Sequence, residues 1–258
     1  MDTPIFLALL GSLVTILSTS LGALPALAAR RVSERTQDTL MGFSAGIMLA
    51  AASFSLINPA LRLTAESSGR VNGSLQVGAF MLGGALFLHL CNRFIPHEHF
   101  STGREGGPSQ IQLKRIWLFV FAITLHNFPE GLAVGTGVGS QSLKLALPIL
   151  VGIGLQDLPE GFVVAMALLT VGYSSRQAIG VAVLTGLVEG FAALLGYWAV
   201  VEVRSILPWA LALAGGAMLY VVSDEMIPES HHKEHAKYAT GGLMVGFVLM
   251  MILDSALG

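Results

Sequence analysis

A single cysteine, Cys91, in 258 residues excludes an intramolecular disulfide framework and leaves the redox environment open. Charge is scarce as well: 12% of residues are Asp, Glu, Lys or Arg, where a water-soluble domain carries about a quarter. A formal net charge of −2 gives no electrostatic hold on a nucleic acid or another polyanion. The first ten residues lack a basic leader and a cleavage pattern, so the first apolar run reads as a retained helix and not as a signal peptide.

Apolar residues are abundant. They make up 53% of the chain and recur in uncharged stretches of about 20, each long enough to cross a hydrocarbon core. Read between charge clusters, eight spans emerge: 4–29, 39–61, 74–91, 116–139, 145–171, 178–203, 206–226 and 239–257. The expectation is an all-α integral membrane protein, one transmembrane domain over residues 1–258, embedded in a lipid bilayer.

Ten basic residues fall in the odd-numbered connections, namely Arg30, Arg31, Arg35, Arg93, Arg104, Lys114, Arg115, Arg176, Lys233 and Lys237. The even-numbered connections hold Arg62, Arg70, Lys144 and Arg204. The positive-inside rule then puts the first set in the cytoplasm and both termini outside. The longest connection, about 93–115, is rich in Gly and Pro and reads as a mobile cytoplasmic loop. Dense glycine and alanine inside the spans imply close helix packing. Pro129 and Pro159 lie mid-span, where each removes a backbone hydrogen bond from the carbonyl four residues back, Leu125 or Leu155, and kinks the fourth and fifth helices.

Around those prolines stands an internal repeat. His126-Asn127-Phe128-Pro129-Glu130-Gly131 in the fourth span is echoed thirty residues later by Gln156-Asp157-Leu158-Pro159-Glu160-Gly161 in the fifth. Consecutive spans run in opposite directions, so the copies face each other inverted near the midplane, where transporters build substrate sites. Glu189 in the sixth span lies at the same depth. Spacings of three and four put each glutamate beside its preceding polar partners on one helix face. One site would gather His126, Glu130, Gln156 and Glu160, and a neighbouring one Asn127, Glu130, Asp157, Glu160 and Glu189.

Imidazole with carboxylate suits zinc and similar first-row ions, and an all-oxygen set leans towards magnesium, calcium or manganese. Structural hydrogen bonding between helices is the bland alternative. An ionised carboxylate at the bilayer centre costs roughly 2.5 to 3.5 kcal/mol, and four converge here with no lysine or arginine nearby, so cations or protons must neutralise them. The reading is a divalent-metal transporter whose substrate is Zn2+, with Cd2+, Fe2+ or Mn2+ as further candidates and no organic cofactor. An intramembrane metal-dependent hydrolase is the competing class, weakened by the absence of His-Glu-x-x-His and by a single histidine at depth. A passive channel is the third, for which tight multidentate binding is awkward.

Other motifs divide between function and packing. Asp224-Glu225-Met226-Ile227-Pro228-Glu229-Ser230-His231-His232, continuing to Glu234 and His235, reads as a low-affinity exit relay or as a solvated helix end, with His231 and His235 on one face if the helix continues. His97-Glu98-His99 in the long loop is a metal sensor or an ordinary loop pair. His89 fits a hydrogen-bonded interfacial histidine. Met48, among Gly46, Ala50 and Ala51, is a packing residue or a thioether near the ion, while Ser55 and Asn58 line an outer funnel or join helices.

His126, Asn127, Pro129, Glu130 and Gly131 resemble the His-Asn-x-Pro-Glu-Gly signature of the ZIP family, the Zrt-/Irt-like metal transporters, over essentially the whole chain, and the short loop is similar to the prokaryotic GufA-type branch. That resemblance implies eight helices in a three-plus-two-plus-three inverted repeat and a binuclear site between the fourth and fifth. It further implies import into the cytoplasm across a bacterial inner membrane, elevator-like movement of the first, fourth, fifth and sixth helices, and a homodimer as a candidate assembly. The family's fifth span usually opens its motif with His. Gln156 and Asp157 here exchange that strong nitrogen ligand for a weak amide with an anion beside it, softening the first site and strengthening the second.

Overall fold

A chain this apolar must satisfy its backbone groups within its own elements, and in the computed structural model every regular element among the described residues is helical. Those residues are 3–28, 33–94, 110–231 and 235–257. In order they form α1 (Thr3–Ala23) with a 3-10 turn (Leu24–Leu27), α2 (Glu34–Ala50), a π segment (Ala51–Ile57), α3 (Asn58–Ser68) and α4 (Arg70–Phe94). Then come α5 (Gln110–Gly139), α6 (Leu143–Thr170), α7 (Ser175–Glu202), a 3-10 turn (Arg204–Ile206), α8 (Leu207–Val221), a second π segment (Val222–Met226), α9 (Ile227–His231) and α10 (Ala236–Leu257). Seven helical stretches are long and apolar enough to cross a membrane: Ile5–Leu27, Glu34–Ser68, Arg70–Leu90, Leu143–Thr170, Ser175–Glu202, Arg204–His231 and Ala236–Leu257.

Local chemistry sets the ends. The Ser33 hydroxyl accepts from Thr36 N at 3.2 Å to cap α2, and Ser174 with Gln177 forms a reciprocal capping box on α7. The turn between α3 and α4 is a single residue, Gly69, at φ 77°, a conformation glycine adopts without steric cost. Arg62 and Arg70 are therefore helical, and the connection the charge pattern marks between the second and third spans is itself helical apart from Gly69. Helix formers at Leu61, Arg62, Leu63, Ala65 and Glu66 carry the helix past the apolar run. Both α5 and α6 continue through Pro129 and Pro159 without a break.

Large apolar side chains point outward along α1 (Leu9, Leu13, Leu17, Leu21), α7 (Leu184, Leu187, Phe191, Trp198) and α10 (Val245, Val248, Ile252). The interior takes small residues such as Ala45, Ala52, Ala133 and Ala182, larger ones such as Ile47, Leu211 and Met218, and polar side chains on several helices, among them Thr15, Ser44, Thr64, Thr185 and Glu189. Close backbone approaches at glycine sort the helices into two groups. Gly22 and Gly161 leave no room for a Cβ where α1 meets α6, nor do Gly131, Gly135 and Gly196 where α5 meets α7. Gly42, Gly46, Gly242 and Gly246 do the same for α2 and α10, and Gly84 and Gly216 for α4 and α8. Between the set α1, α5, α6, α7 and the set α2, α3, α4, α8, α10, the one such contact among the described glycines is Gly152 against the flexible Met250 side chain.

Candidate metal centre

The repeat places its polar residues where helices of the first group converge. α5 presents His126, Asn127 and Glu130, α6 presents Gln156, Asp157 and Glu160, and α7 presents Glu189. All seven are buried, none more than 9% exposed. Close α5–α7 packing brings Glu189 in: an added Cβ at Gly131 would strike the Glu189 backbone.

One oxygen each from Glu130, Asp157 and Glu160 lie within 4.8 Å of one another, a spacing that lets a single cation touch all three. Glu189 adds electrostatic repulsion on Glu130 and Asp157. With its amide nitrogen turned toward the acceptors, Asn127 donates to Glu160 Oε1 and to Ile123 O, each at 2.6 Å. Gln156 stands beside Glu130 and Glu160. Yet among the described residues no hydrogen bond reaches either oxygen of Asp157 or Glu189, and Glu130 has no partner beyond the neighbouring Gln156 amide. Buried polar atoms left this way are rare because each forfeits its hydration. A set made almost wholly of oxygen acceptors fits a cation.

The structure adds a residue to this cluster that the sequence order keeps apart. Glu225 Oε2 lies 3.0 Å from His126 Nε2, both side chains buried. Glu225 belongs to the second π segment, in which Ile227 N–H reaches back five residues to Val222 O. Such wide turns recur at functional sites. Glu225 therefore faces the site histidine from the other helix group, which is a different position from the helix-end relay read in the sequence.

The remaining candidates lie elsewhere. Asp224 is exposed and Glu229 half-buried. His231 is the last residue of α9, its Nδ1 3.0 Å from Ile227 O and its Nε2 2.9 Å from Thr240 Oγ1. His235 precedes α10, its ring against Tyr238, and the residues between it and His231, on which a shared helical face would depend, lie outside the described ones. His232, Glu234 and the His97-Glu98-His99 stretch lie outside the described residues. Met48 is buried in an apolar cluster with Ala133, Ile149 and Ile153. Ser55 donates to Asp254 Oδ1 at 2.6 Å, and Asn58 is exposed. His89 Nδ1 sits 3.2 Å from Tyr220 Oη, a hydrogen-bonded partner between α4 and α8.

Comparison with known proteins points the same way. The family model described as ZIP Zinc transporter matches residues 95–254. Zinc transporter GufA of Myxococcus xanthus is 45% identical over 251 residues, 97% of this chain and 98% of that protein. Zinc transporter ZIPB of Bordetella bronchiseptica is 46% identical over 253 residues, 97% of this chain and 81% of that protein. Zinc transporter ZIP11 of Homo sapiens is 31% identical, with 98% of each chain covered.

Proposed function

The chain belongs to the ZIP zinc transporter family, so it moves divalent metal ions across a membrane and is not an enzyme, and we propose that its substrate is zinc, held in transit by two adjacent ion sites. His126, Glu130, Gln156 and Glu160 hold the first ion. Asn127, Glu130, Asp157, Glu160 and Glu189 hold the second. The observation that carries the reading is the buried set of unpartnered acceptors on three helices, centred on three carboxylates within 4.8 Å. Glu130, Asp157 and Glu189 also have no lysine or arginine partner among the described residues, so cationic substrate is the natural counter-charge.

α5 then serves as the eighth span, with a three-plus-two-plus-three order and kinks at the two midspan prolines. Alternating access by an elevator-like slide is supported by the glycine pattern: backbone-to-backbone packing binds α1, α5, α6 and α7 into one body, and side chains alone meet the other at Gly152 and Met250. His126 and Glu225 lie on opposite sides of that boundary, so zinc binding at His126 competes with the pair and favours release of one body from the other. Glu225 and Glu229 offer the substrate its next carboxylates on the cytoplasmic side, with import as the direction, an inner membrane as the location and both termini outside.

Zinc flux into proteoliposomes tests this. The intact protein should give saturable uptake, and Glu130→Gln and Glu160→Gln should each lose it. Unchanged uptake in both variants refutes the site.

A further inference from the structure

One patch of unpaired charge lies outside the metal centre. An open cleft of about 560 Å³ runs between α3 and the start of α4 and is lined by Asn58, Leu61, Arg62, Glu66, Arg70 and Ser74. Gly69 reverses the chain at φ 77°, and Gly73 packs against the Thr64 backbone, so the first turn of α4 lies beside the last turns of α3. Arg62 and Arg70 thereby face one cleft from two helices. Among the described residues neither guanidinium has a hydrogen-bond or carboxylate partner, and Glu66, four residues after Arg62 on the same helix, pairs with neither. Two arginines lining one cleft offer an anion two forked sets of donors. The helix dipole at the start of α4 also favours negative charge. Directly beside the polar cleft, Val71 and Leu75 are 74% and 69% exposed, which sets this mouth at the level where apolar surface gives way to headgroups.

We propose that this cleft binds a phosphoethanolamine group, the phosphate held between Arg62 and Arg70 with the Ser74 hydroxyl and Asn58 amide available to it, and the ammonium at Glu66. Arginine pairs meet phosphate oxygens through forked, charge-assisted hydrogen bonds. A carboxylate beside them selects an ammonium able to donate, which a choline group cannot do. The same chemistry is carried by a membrane aminophospholipid or by soluble phosphoethanolamine.

Native mass spectrometry of the full chain in detergent distinguishes these sources. The protein is titrated with dilauroyl phosphatidylethanolamine, phosphatidylcholine or phosphatidylglycerol, with and without soluble phosphoethanolamine. The ethanolamine lipid should be retained about tenfold over the choline lipid, the size of one charge-assisted hydrogen bond. Arg62→Ala with Arg70→Ala should lower the retention of both the ethanolamine and the choline lipid, while zinc binding persists as evidence of a folded protein. Glu66→Gln, milder at an exposed position, should abolish the preference for phosphatidylethanolamine over phosphatidylcholine. Displacement by equimolar phosphoethanolamine assigns the cleft to the soluble compound, and resistance assigns it to the lipid. Equal retention of the three lipids by the intact protein overturns the proposal, as does a Glu66→Gln variant with an unaltered preference.

Discussion

Asp157→Asn should make the metal-free protein more stable and the zinc-loaded protein less so, opposite signs from one isosteric change. Oxygens of Glu130, Asp157 and Glu160 lie within 4.8 Å of one another. At that distance and an effective dielectric of about 20, each ionised pair repels by about 3.5 kcal/mol. Three pairs amount to about 10 kcal/mol, comparable with the whole stability of an ordinary domain. Replacing Asp157 leaves one pair, a gross relief of about 7 kcal/mol, and its new amide can donate to the neighbouring carboxylates. Proton uptake by the metal-free cluster, worth about 1.4 kcal/mol per tenfold change, absorbs much of that, leaving an expected gain of about 1–3 kcal/mol. With zinc the balance reverses. A ligand at a hundred times its dissociation constant stabilises by about 2.7 kcal/mol, and the variant has lost one anionic ligand from the proposed second site. Thermal unfolding followed by the fluorescence of the three tryptophans, with EDTA and then with zinc, reads both effects. An Asp157→Asn protein that melts with or below the parent in EDTA and keeps the full zinc-induced rise would refute the electrostatic account of the cluster.

The glycine pattern makes paired predictions: Gly161→Ala drives a Cβ into the Thr19 backbone and should cost several kcal/mol or prevent folding, whereas Gly180→Ala, with nothing within 4 Å of the new atom, should stabilise by about 0.5–1 kcal/mol. Detergent-resistant folding assays compare the two. His126→Ala and Glu225→Gln should be non-additive in metal-free stability by about 0.5–3 kcal/mol in a double-mutant cycle, and strict additivity would show the two side chains to be uncoupled. For the slide between bodies, Met250 Cγ, whose position a cysteine sulfur would take, lies 3.8 Å from the Cβ position at Gly152. In a Cys91→Ser background, Gly152→Cys with Met250→Cys should crosslink on oxidation and stop zinc uptake, and a reductant should restore it; full uptake in the crosslinked protein would exclude relative movement there.

Much of this molecule follows from order along the chain alone. Runs of apolar residues without charge have one stable form in oil, so helices and their approximate centres are legible. The two prolines flanked by polar residues at helical spacing already put His126, Asn127 and Glu130, and Gln156, Asp157 and Glu160, on single faces. What the chain order leaves open is where helices end and which distant segments touch. Helix propensity carried α3 past the last apolar residue to Ser68, putting Arg62 opposite Arg70 across Gly69, because charge marks the edge of the hydrocarbon and not the edge of a helix. Glu225 lies 95 residues beyond Glu130 in the chain, and a one-dimensional reading sets it at a helix end. Its meeting with His126 depends on a π turn and on how two helix groups pack against each other, neither of which is written in local periodicity. Local periodicity specifies the face a residue occupies; only packing decides what that face meets.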